Sequence, residues 1–225
     1  MIVLKIIFFP FILFYQSFKM SLIYMPGDFG IKLRQILYKP FFKSCGKRVY
    51  IDQGVLFSGM KFMSFGDDVH IDKNCIINAG DRTRGSQKYL ENNNFKGKKG
   101  EIIFGSHIHV VQNCIIMGFG GVQIADHCTL SAGTKVYSQS NIPYNPENRS
   151  EIVSIIPYST AHFVNGPVTL DENVWVGLNC VVMPGSHIGK NSFVVSYSLV
   201  KDTYSENSYL KGQPAEKIRA RFENQ

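Results

Sequence analysis

Aliphatic side chains recur at every sixth position in the stretch from Val168 to Lys201. Small, polar or turn-forming residues separate them, as in segments 171–173 and 189–191. A period of six fits neither an α-helix nor an ordinary β-hairpin. It predicts a solenoid of short strands and turns, with three strands in each coil of about 18 residues and one aliphatic side chain per strand on the axis. The aliphatic positions are Leu170, Val176, Val182, Ile188, Val194 and Val200.

Weaker repeats of the same kind begin at Val49, so the solenoid is predicted to occupy residues 49–201. Two insertions interrupt it, at residues 78–101 and 137–167. The first is the most basic stretch of the chain and is either a solvated loop or an arm that contacts phosphate or membrane. The second is rich in Pro, Asn, Ser and Tyr and is expected to be an ordered loop. The terminal segment 202–225 is predicted to form turns and then a short basic helix that starts at Pro214.

Residues 1–48 are predicted to form an apolar, helical segment in front of the coils. The uncharged run from Ile6 to Phe18 is shorter than the roughly 18 apolar residues that a membrane-spanning helix needs. Residues 31–38 alternate apolar and basic side chains at near-helical spacing. The segment is therefore expected to lie in a membrane interface, to pack on a neighbouring subunit, or to cap the first coil, as repeat arrays require.

The repeat run resembles the hexapeptide-repeat acyltransferases of the left-handed parallel β-helix fold, especially the branch that modifies sugars of bacterial surface polysaccharides. The resemblance implies an all-β solenoid that assembles as a homotrimer. It also implies acetyl-CoA, or another short acyl-CoA, in the groove between two subunits, and a long loop over the acceptor. It is less specific for the acceptor, because one scaffold can host many sites. The matching segments are Gly166-Pro167-Val168, Asn173-Val174-Trp175-Val176-Gly177, Pro184-Gly185, Ile188-Gly189 and Gly212-Gln213-Pro214-Ala215.

Charge and cysteine content narrow the choice of partners and compartment. The chain has 24 Lys plus Arg against 17 Asp plus Glu, a net charge of +7. It lacks zinc-finger spacing, an RRM signature and a helix-turn-helix pattern, so nucleic acid is not an expected partner. Phosphates of a cofactor, a nucleotide sugar or an anionic lipid explain the charge better. The odd number of scattered cysteines favours a reducing cytoplasm, with peripheral contact to the inner membrane left open. Four cysteines are predicted to be buried in the core rather than to bind metal: Cys75, Cys114, Cys128 and Cys180.

The identity of a catalytic base is open. Similar sugar O-acetyltransferases carry a His at the start of the second loop, and its imidazole removes the acceptor hydroxyl proton. This chain has Asn141 at that position, and an amide cannot act as a base. His162, at the far end of the loop, is one replacement, and His107 or His109 on the coil surface is another. The third option is a sugar amine, which attacks the thioester as a neutral nucleophile while the CoA thiolate takes up the proton.

The resemblance also implies residues for the cofactor and the acceptor. Similar enzymes have glycine where this chain has Tyr197, so this ring either crowds the cofactor or stacks on it. Several of these residues also have a structural explanation. Trp175 fits packing at a subunit interface, and Asn113 and Asn141 fit turn formation. The basic residues fit solvated charges of the C-terminal tail. The predicted cofactor-binding residues are Trp175, Gly177, Ser196, Tyr197, Lys201, Lys217 and Arg219, the last three for CoA phosphates. The predicted acceptor-binding residues are Asn113 and Ser140.

The sequence therefore predicts an acyltransferase that moves an acetyl or other short acyl group from acyl-CoA to a nucleotide- or lipid-linked sugar of a surface polysaccharide. Acylation of a hydroxyl and of an amine both remain open, and no metal is required. A catalytically silent β-helix binding module is one alternative. A γ-class carbonic anhydrase is a second, although His107, His109 and His127 do not match that family's zinc-ligand spacing.

Overall fold

The computed structural model describes residues 2–82, 85–148 and 161–223, with side chains from residue 13 onward. Two helices, α1 (Ile2–Tyr24) and α2 (Gly27–Tyr38), precede the strands, and 3₁₀ turns lie at Lys39–Phe41 and Met60–Phe62. The strands are, in chain order, β1 (Ser44–Cys45), β2 (Tyr50–Ile51), β3 (Leu56–Ser58), β4 (Met63–Phe65), β5 (Val69–Ile71), β6 (Ile76–Asn78), β7 (Ser86–Tyr89), β8 (Ile102–Phe104), β9 (Ile108–Val110), β10 (Ile115–Met117), β11 (Val122–Ile124), β12 (Thr129–Leu130), β13 (Lys135–Tyr137), β14 (Gln139–Ile142), β15 (His162–Asn165), β16 (Val168–Leu170), β17 (Trp175–Val176), β18 (Val181–Val182), β19 (His187–Ile188), β20 (Phe193–Val194), β21 (Leu199–Val200), β22 (Thr203–Tyr204), β23 (Ser208–Gly212) and β24 (Ala215–Ala220).

The coil strands form three parallel sheets, in which each strand pairs with strands one coil away rather than with its neighbours in sequence. The first sheet has the order β1-β4-β8-β11-β16-β19-β22, and the second has β2-β5-β9-β12-β17-β20-β23. The third has the order β3-β6-β10-β13-β18-β21. The chain passes through the three sheets in turn, which makes the three-sided parallel solenoid that the six-residue period predicts.

The repeat aliphatics form the axis of this solenoid. All six of those named above, from Leu170 to Val200, are completely buried, and they belong to one continuous core cluster. The four cysteines predicted to be buried are also completely buried. Burial raises the pKa of Cys128 to about 12, so this thiol is not a nucleophile at neutral pH. The prediction that these cysteines fill the core is confirmed.

The prediction of a C-terminal helix is wrong. Residues Ala215–Ala220 form β24, which pairs antiparallel with β23 at the end of the second sheet. The last strand of an open sheet leaves a row of unpaired backbone groups, and the returning chain satisfies them. The Tyr204 hydroxyl also donates a hydrogen bond to the Ala215 carbonyl at 2.9 Å and fixes the start of the return strand. Edge pairing has therefore outweighed the helical propensity of this basic segment.

Strands from the two insertions come together in a separate sheet, which we call the arm. It has the order β14-β15-β7, with β14 and β15 antiparallel and β15 and β7 parallel. An amide ladder crosses it: Gln139 donates to Asn165 at 2.7 Å, and Asn165 donates to Gln87 at 2.8 Å. Asn165 is completely buried, so these hydrogen bonds replace those that its amide loses to water. The two insertions predicted from the sequence are thus joined in one sheet.

A buried arginine fastens the helices to the first coil. Arg34 is completely buried, and its guanidinium donates hydrogen bonds to the carbonyls of Ile51 at 2.8 Å, Leu22 at 2.9 Å and Met25 at 2.8 Å. These carbonyls lie on the first coil, on α1 and on the connection between the helices. Burial lowers the pKa of Arg34 below its ordinary value, although an arginine stays charged in proteins. Over the described part of the chain, no helix is long and apolar enough to cross a membrane.

We expect Arg34→Met to lower the free energy of unfolding by about 3 kcal/mol, because it leaves three buried carbonyls without a donor. Lys32→Met, at an exposed position of the same helix, is the matched control and should change it by less than about 0.5 kcal/mol. Denaturant unfolding followed by circular dichroism measures both. An equal effect of the two substitutions would show that Arg34 does not hold the helices in place.

Candidate active site

A cleft of about 390 Å³ lies where the arm leaves the third sheet. We call it the loop-start cleft. Tyr137 ends β13 and lies beside Met117 of the neighbouring strand β10, and the residues that follow Tyr137 run into β14. The outer face of the third sheet and the first strand of the arm therefore both contribute to the cleft. Its lining residues are Met117, Phe119, Tyr137, Gln139, Ser140, Asn141, Val181 and Met183.

The chemistry of this cleft is that of neutral hydrogen-bonding groups on an apolar floor. Asn141 and the Tyr137 hydroxyl supply polar side-chain atoms, whereas the Gln139 amide already donates to Asn165. Ser140 also borders the cleft, but strand alternation directs its side chain to the opposite face of β14 from Asn141. Within the described residues, no histidine, carboxylate, lysine or arginine lines it. The cleft can therefore orient an acceptor and a carbonyl, but it holds no side chain that would take a proton from a hydroxyl at neutral pH.

His162 lies on the other side of the arm. It faces Ile142 across the β14–β15 pair, whereas Asn141 faces Phe163. Successive residues of a strand point to opposite faces, so His162 and Asn141 project away from each other. His162 instead lines a second cleft of about 460 Å³ with Ser86, Lys88, Ile142 and Glu147 among others. Its Nδ1 atom is buried without a hydrogen-bond partner in the described residues, so none of them orients the imidazole through this nitrogen.

The two coil-surface histidines are engaged elsewhere. His107 stacks on His127 with ring centroids 4.8 Å apart, and its Nδ1 atom lies 3.6 Å from the Asp68 carboxylate. His109, on the second sheet, has its Nε2 atom 2.9 Å from the Asp72 carboxylate. Neither lines the loop-start cleft. The described parts of the chain contain no group of three or more His, Cys, Asp or Glu residues arranged to hold a metal ion.

Three of the predicted cofactor residues meet at the corner between the second and third sheets. A Cβ atom on Gly177 would lie 2.6 Å from the backbone of Ser196, so coil packing alone requires a glycine here. The Ser196 hydroxyl accepts a hydrogen bond from the Leu178 N–H at 3.1 Å. Tyr197 follows at the surface with 63% of its side chain exposed. Ser196 and Tyr197 thus lie in the turn that leads into β21 of the third sheet.

Tyr197 is the unusual member of this corner. Successive coils place a residue with left-handed backbone there, and the others are asparagine or glycine: Gly54, Asn74, Asn113, Gly133 and Asn179. Asn113, a predicted acceptor ligand, thus forms a turn, and its N–H donates to the Lys73 carbonyl at 3.0 Å. A tyrosine at φ +64° costs roughly 1–2 kcal/mol relative to a conformation that suits it. Exposed strain of this kind is typical of functional positions.

The remaining predicted cofactor residues are distributed over two sides of the solenoid. Trp175 is 47% exposed on the second sheet, where its Nε1–H donates to the Ser131 hydroxyl at 2.9 Å. Lys201 is exposed directly after β21 of the third sheet. Arg219 lies 4.0 Å from the centre of the Tyr209 ring. Lys217 donates to the Ser205 hydroxyl at 3.0 Å, at the edge of the second sheet away from Tyr197.

Sequence reasoning found the polar side of the cleft and missed its apolar floor. Asn141 and Ser140 were identified, whereas Met117, Val181 and Met183 were not. Each of the missed residues lies next to a buried repeat aliphatic and so points outward from the third sheet. Apolar side chains at outward positions of the third strand in each coil are the signal that could have indicated them.

Comparisons with known proteins agree with this architecture. No protein-family model matches the chain. The dTDP-4-amino-4,6-dideoxy-D-glucose acyltransferase of Escherichia coli is 28% identical over 180 residues, which cover 80% of this chain and 83% of that protein. The galactoside O-acetyltransferase of Escherichia coli K12 is 29% identical over 196 residues, which cover 84% and 69%.

Two solved structures share the fold. The N-acyltransferase AntD from Bacillus cereus, in complex with dTDP and 3-hydroxybutyryl-CoA, superposes with a TM-score of 0.64 at 24% identity and covers 83% of this chain and 87% of that one. A hexapeptide-repeat acetyltransferase from Vibrio cholerae, in complex with acetyl-CoA, superposes with a TM-score of 0.51 at 18% identity and covers 84% and 76%. The chain therefore shares the fold of the hexapeptide-repeat acetyltransferases. The solenoid described above is their left-handed β-helix.

We expect Tyr197→Asn to raise the free energy of unfolding by about 1 kcal/mol, because asparagine tolerates the left-handed backbone better. If the ring also stacks on the cofactor, the same substitution raises the KM for acyl-CoA. Asn179→Tyr, the reverse change one coil earlier, should lower stability by a similar amount. Thermal unfolding and steady-state kinetics measure the two effects, and an unchanged KM would reject the stacking role.

Proposed function

We propose that this protein transfers a short acyl group from acyl-CoA to the amine of a nucleotide-linked amino sugar. The composition of the loop-start cleft carries the proposal, because it holds amide and hydroxyl groups but neither an imidazole nor a carboxylate. A hydroxyl is a weak nucleophile until a base removes its proton, whereas a neutral amine attacks a thioester without prior deprotonation. The relative from Escherichia coli that is named for a dTDP-linked amino sugar supports the same choice of acceptor.

In the proposed reaction, the amine nitrogen attacks the thioester carbonyl carbon. The C–N bond forms, the C–S bond breaks, and the proton lost by the nitrogen ends on the CoA thiolate. The Asn141 side chain orients the amine or donates a hydrogen bond to the carbonyl oxygen as negative charge develops on it. Met117, Val181 and Met183 give the acyl chain an apolar surface.

The proposed path for acyl-CoA follows the corner at Gly177, Ser196 and Tyr197, between Trp175 and Lys201. Acetyl-CoA and 3-hydroxybutyryl-CoA are the co-substrates that we propose, since structural neighbours of this chain were solved with them. The sequence resemblance implies that this groove lies between two subunits of a homotrimer, so a homotrimer is part of the proposal. The product would serve surface polysaccharide synthesis in the cytoplasm, which is the role that the sequence resemblance implies.

A panel of acceptors tests the proposal. Purified protein is incubated with acetyl-CoA and either dTDP-4-amino-4,6-dideoxyglucose or dTDP-glucose, which has hydroxyls only, and thiol release and product mass are followed. We expect an acylated product from the amino sugar alone. The background from the protein's own thiols should be low, because four of its five cysteines are completely buried.

Two outcomes would contradict the proposal in different ways. Acylation of dTDP-glucose or of a galactoside at a comparable rate would show an O-acyltransferase, which the similarity to a galactoside O-acetyltransferase makes the second candidate. If acetyl-CoA is neither turned over nor bound in calorimetry, the protein is a catalytically silent binding module.

Substitutions on the two faces of the arm separate the candidate residues. We expect Asn141→Ala to lower kcat/KM by about 100-fold, because it removes a hydrogen-bond donor to the reacting carbonyl or amine. His162→Ala, on the opposite face, should leave kcat/KM within about threefold, since a histidine outside the cleft takes no proton from the acceptor. The reverse result, with loss of turnover in His162→Ala and little change in Asn141→Ala, would identify His162 as the base.

A further inference from the structure

Exposed apolar side chains are concentrated in the two helices and the turn that follows them. Nine of the 17 exposed large apolar side chains of the described residues lie between residues 13 and 41. They are Leu13, Phe14, Tyr15, Phe18, Met20, Tyr24, Phe29, Ile36 and Phe41. Water-exposed apolar surface of this extent marks an interaction site.

On α2 the exposed residues form one stripe of alternating apolar and basic side chains. Phe29, Lys32 and Ile36 share a helix face, and Lys39 continues it beyond the helix end. Phe29 and Ile36 are 71% and 68% exposed. We call these four residues the α2 stripe. Arg34 lies on the opposite face, buried against the solenoid.

The α2 stripe cannot turn inward to bury itself. The Arg34 hydrogen bonds described above fix the rotation of α2 relative to α1 and the first coil. The Gly54 N–H also donates to the Ile23 carbonyl at 2.8 Å. Gly30 lets α2 approach the helix connection closely, because a Cβ atom there would lie 2.2 Å from the Met25 carbonyl oxygen. The fold therefore holds the stripe facing away from the core.

The distribution of these side chains favours a lipid surface over a second protein. Leu13, Phe14 and Tyr15 are consecutive on α1 and point in directions about 100° apart, yet all are exposed. A protein groove covers one face of a helix, whereas acyl chains and headgroups can surround it. Lysine within an apolar stripe is unfavourable in the core of a protein interface but places its ammonium among lipid phosphates.

The charge of this region adds to the argument. Residues 13–43 contain five basic residues and one acidic residue, Asp28. Lys19, Lys32 and Lys39 are exposed, while Lys43 pairs with Glu101 at 2.6 Å. Lysines at the rim of an apolar surface attract anionic headgroups, and each contributes when it lies within a Debye length of them.

We propose that α1 and the α2 stripe bind the surface of an anionic phospholipid bilayer and hold the solenoid against it. The acyltransfer proposal is independent of this one, because the residues that carry it lie on the third sheet and the arm. A binding experiment without sugar or CoA therefore tests the membrane site alone.

The experiment mixes the full-length protein with phosphatidylcholine vesicles that either lack or contain phosphatidylglycerol and measures the bound fraction by flotation. We expect binding to the anionic vesicles to be about tenfold tighter or more, and to weaken as salt rises. Equal binding to both kinds of vesicle, or no binding to either, would overturn the proposal.

Paired substitutions identify the surface. Phe29→Glu with Ile36→Glu should weaken binding to anionic vesicles about tenfold or more. Ile218→Glu with Phe222→Glu, at positions 55% and 48% exposed near the other end of the chain, makes the same charge change as the matched control and should bind like the parent. Lys32→Glu with Lys39→Glu should abolish the preference for vesicles that contain phosphatidylglycerol. Lys73→Glu with Lys190→Glu makes the same change in net charge at other exposed positions and should keep that preference.

The oligomeric state distinguishes the competing occupant. If light scattering shows that Phe29→Glu with Ile36→Glu lowers the number of copies in the particle while vesicle binding is unchanged, a second copy covers the stripe and the proposal is wrong. If the apolar variants fail to fold, the paired lysine variants still decide the outcome, because their side chains are exposed and outside the Arg34 contacts.

Discussion

The structure depends on the stacking of coils, since no strand in it is stable alone. Most coil strands are two or three residues long, too short to bury an apolar face without a neighbour. Each gains its backbone hydrogen bonds from the coils above and below and contributes one aliphatic side chain to the axis. Stability in such an array comes from the contacts between adjacent repeats. Both ends of the stack therefore need a cover, which α2 supplies at one end and β24 at the other.

The packing of adjacent coils also determines which surface residues have a structural role and which are available for binding a ligand. Gly177 and the left-handed corner asparagines are required by the approach of one coil to the next, so their presence says little about a ligand. Tyr197 occupies such a corner without suiting it, and the loop-start cleft carries apolar side chains on an outward face. These departures from the packing rule support the proposed region of acyl transfer more strongly than the residues that follow the rule.

The arm illustrates how a solenoid acquires a site. Strands contributed by two insertions that are far apart in sequence pair only because the coils set their starting points side by side. The buried amide ladder then fixes the faces of the arm, with Asn141 on one and His162 on the other. A base at the loop start would thus serve the loop-start cleft, which adjoins the third sheet. A base at the loop end would serve the second cleft, on the other side of the arm.

The sequence by itself determined the three-sided solenoid, the positions of its axial aliphatics, the burial of four cysteines and the helical character of the first residues, because each follows from local periodicity. The resemblance to sugar O-acetyltransferases drew attention to Asn141, which stands at the position nearest to their histidine. Only the tertiary structure decided that residues 215–220 form a strand, that the insertions pair in one arm, and that His162, His107 and His109 lie away from Asn141. These outcomes depend on sheet edges and on contacts between residues far apart in the chain, and a local sequence pattern contains no information about either.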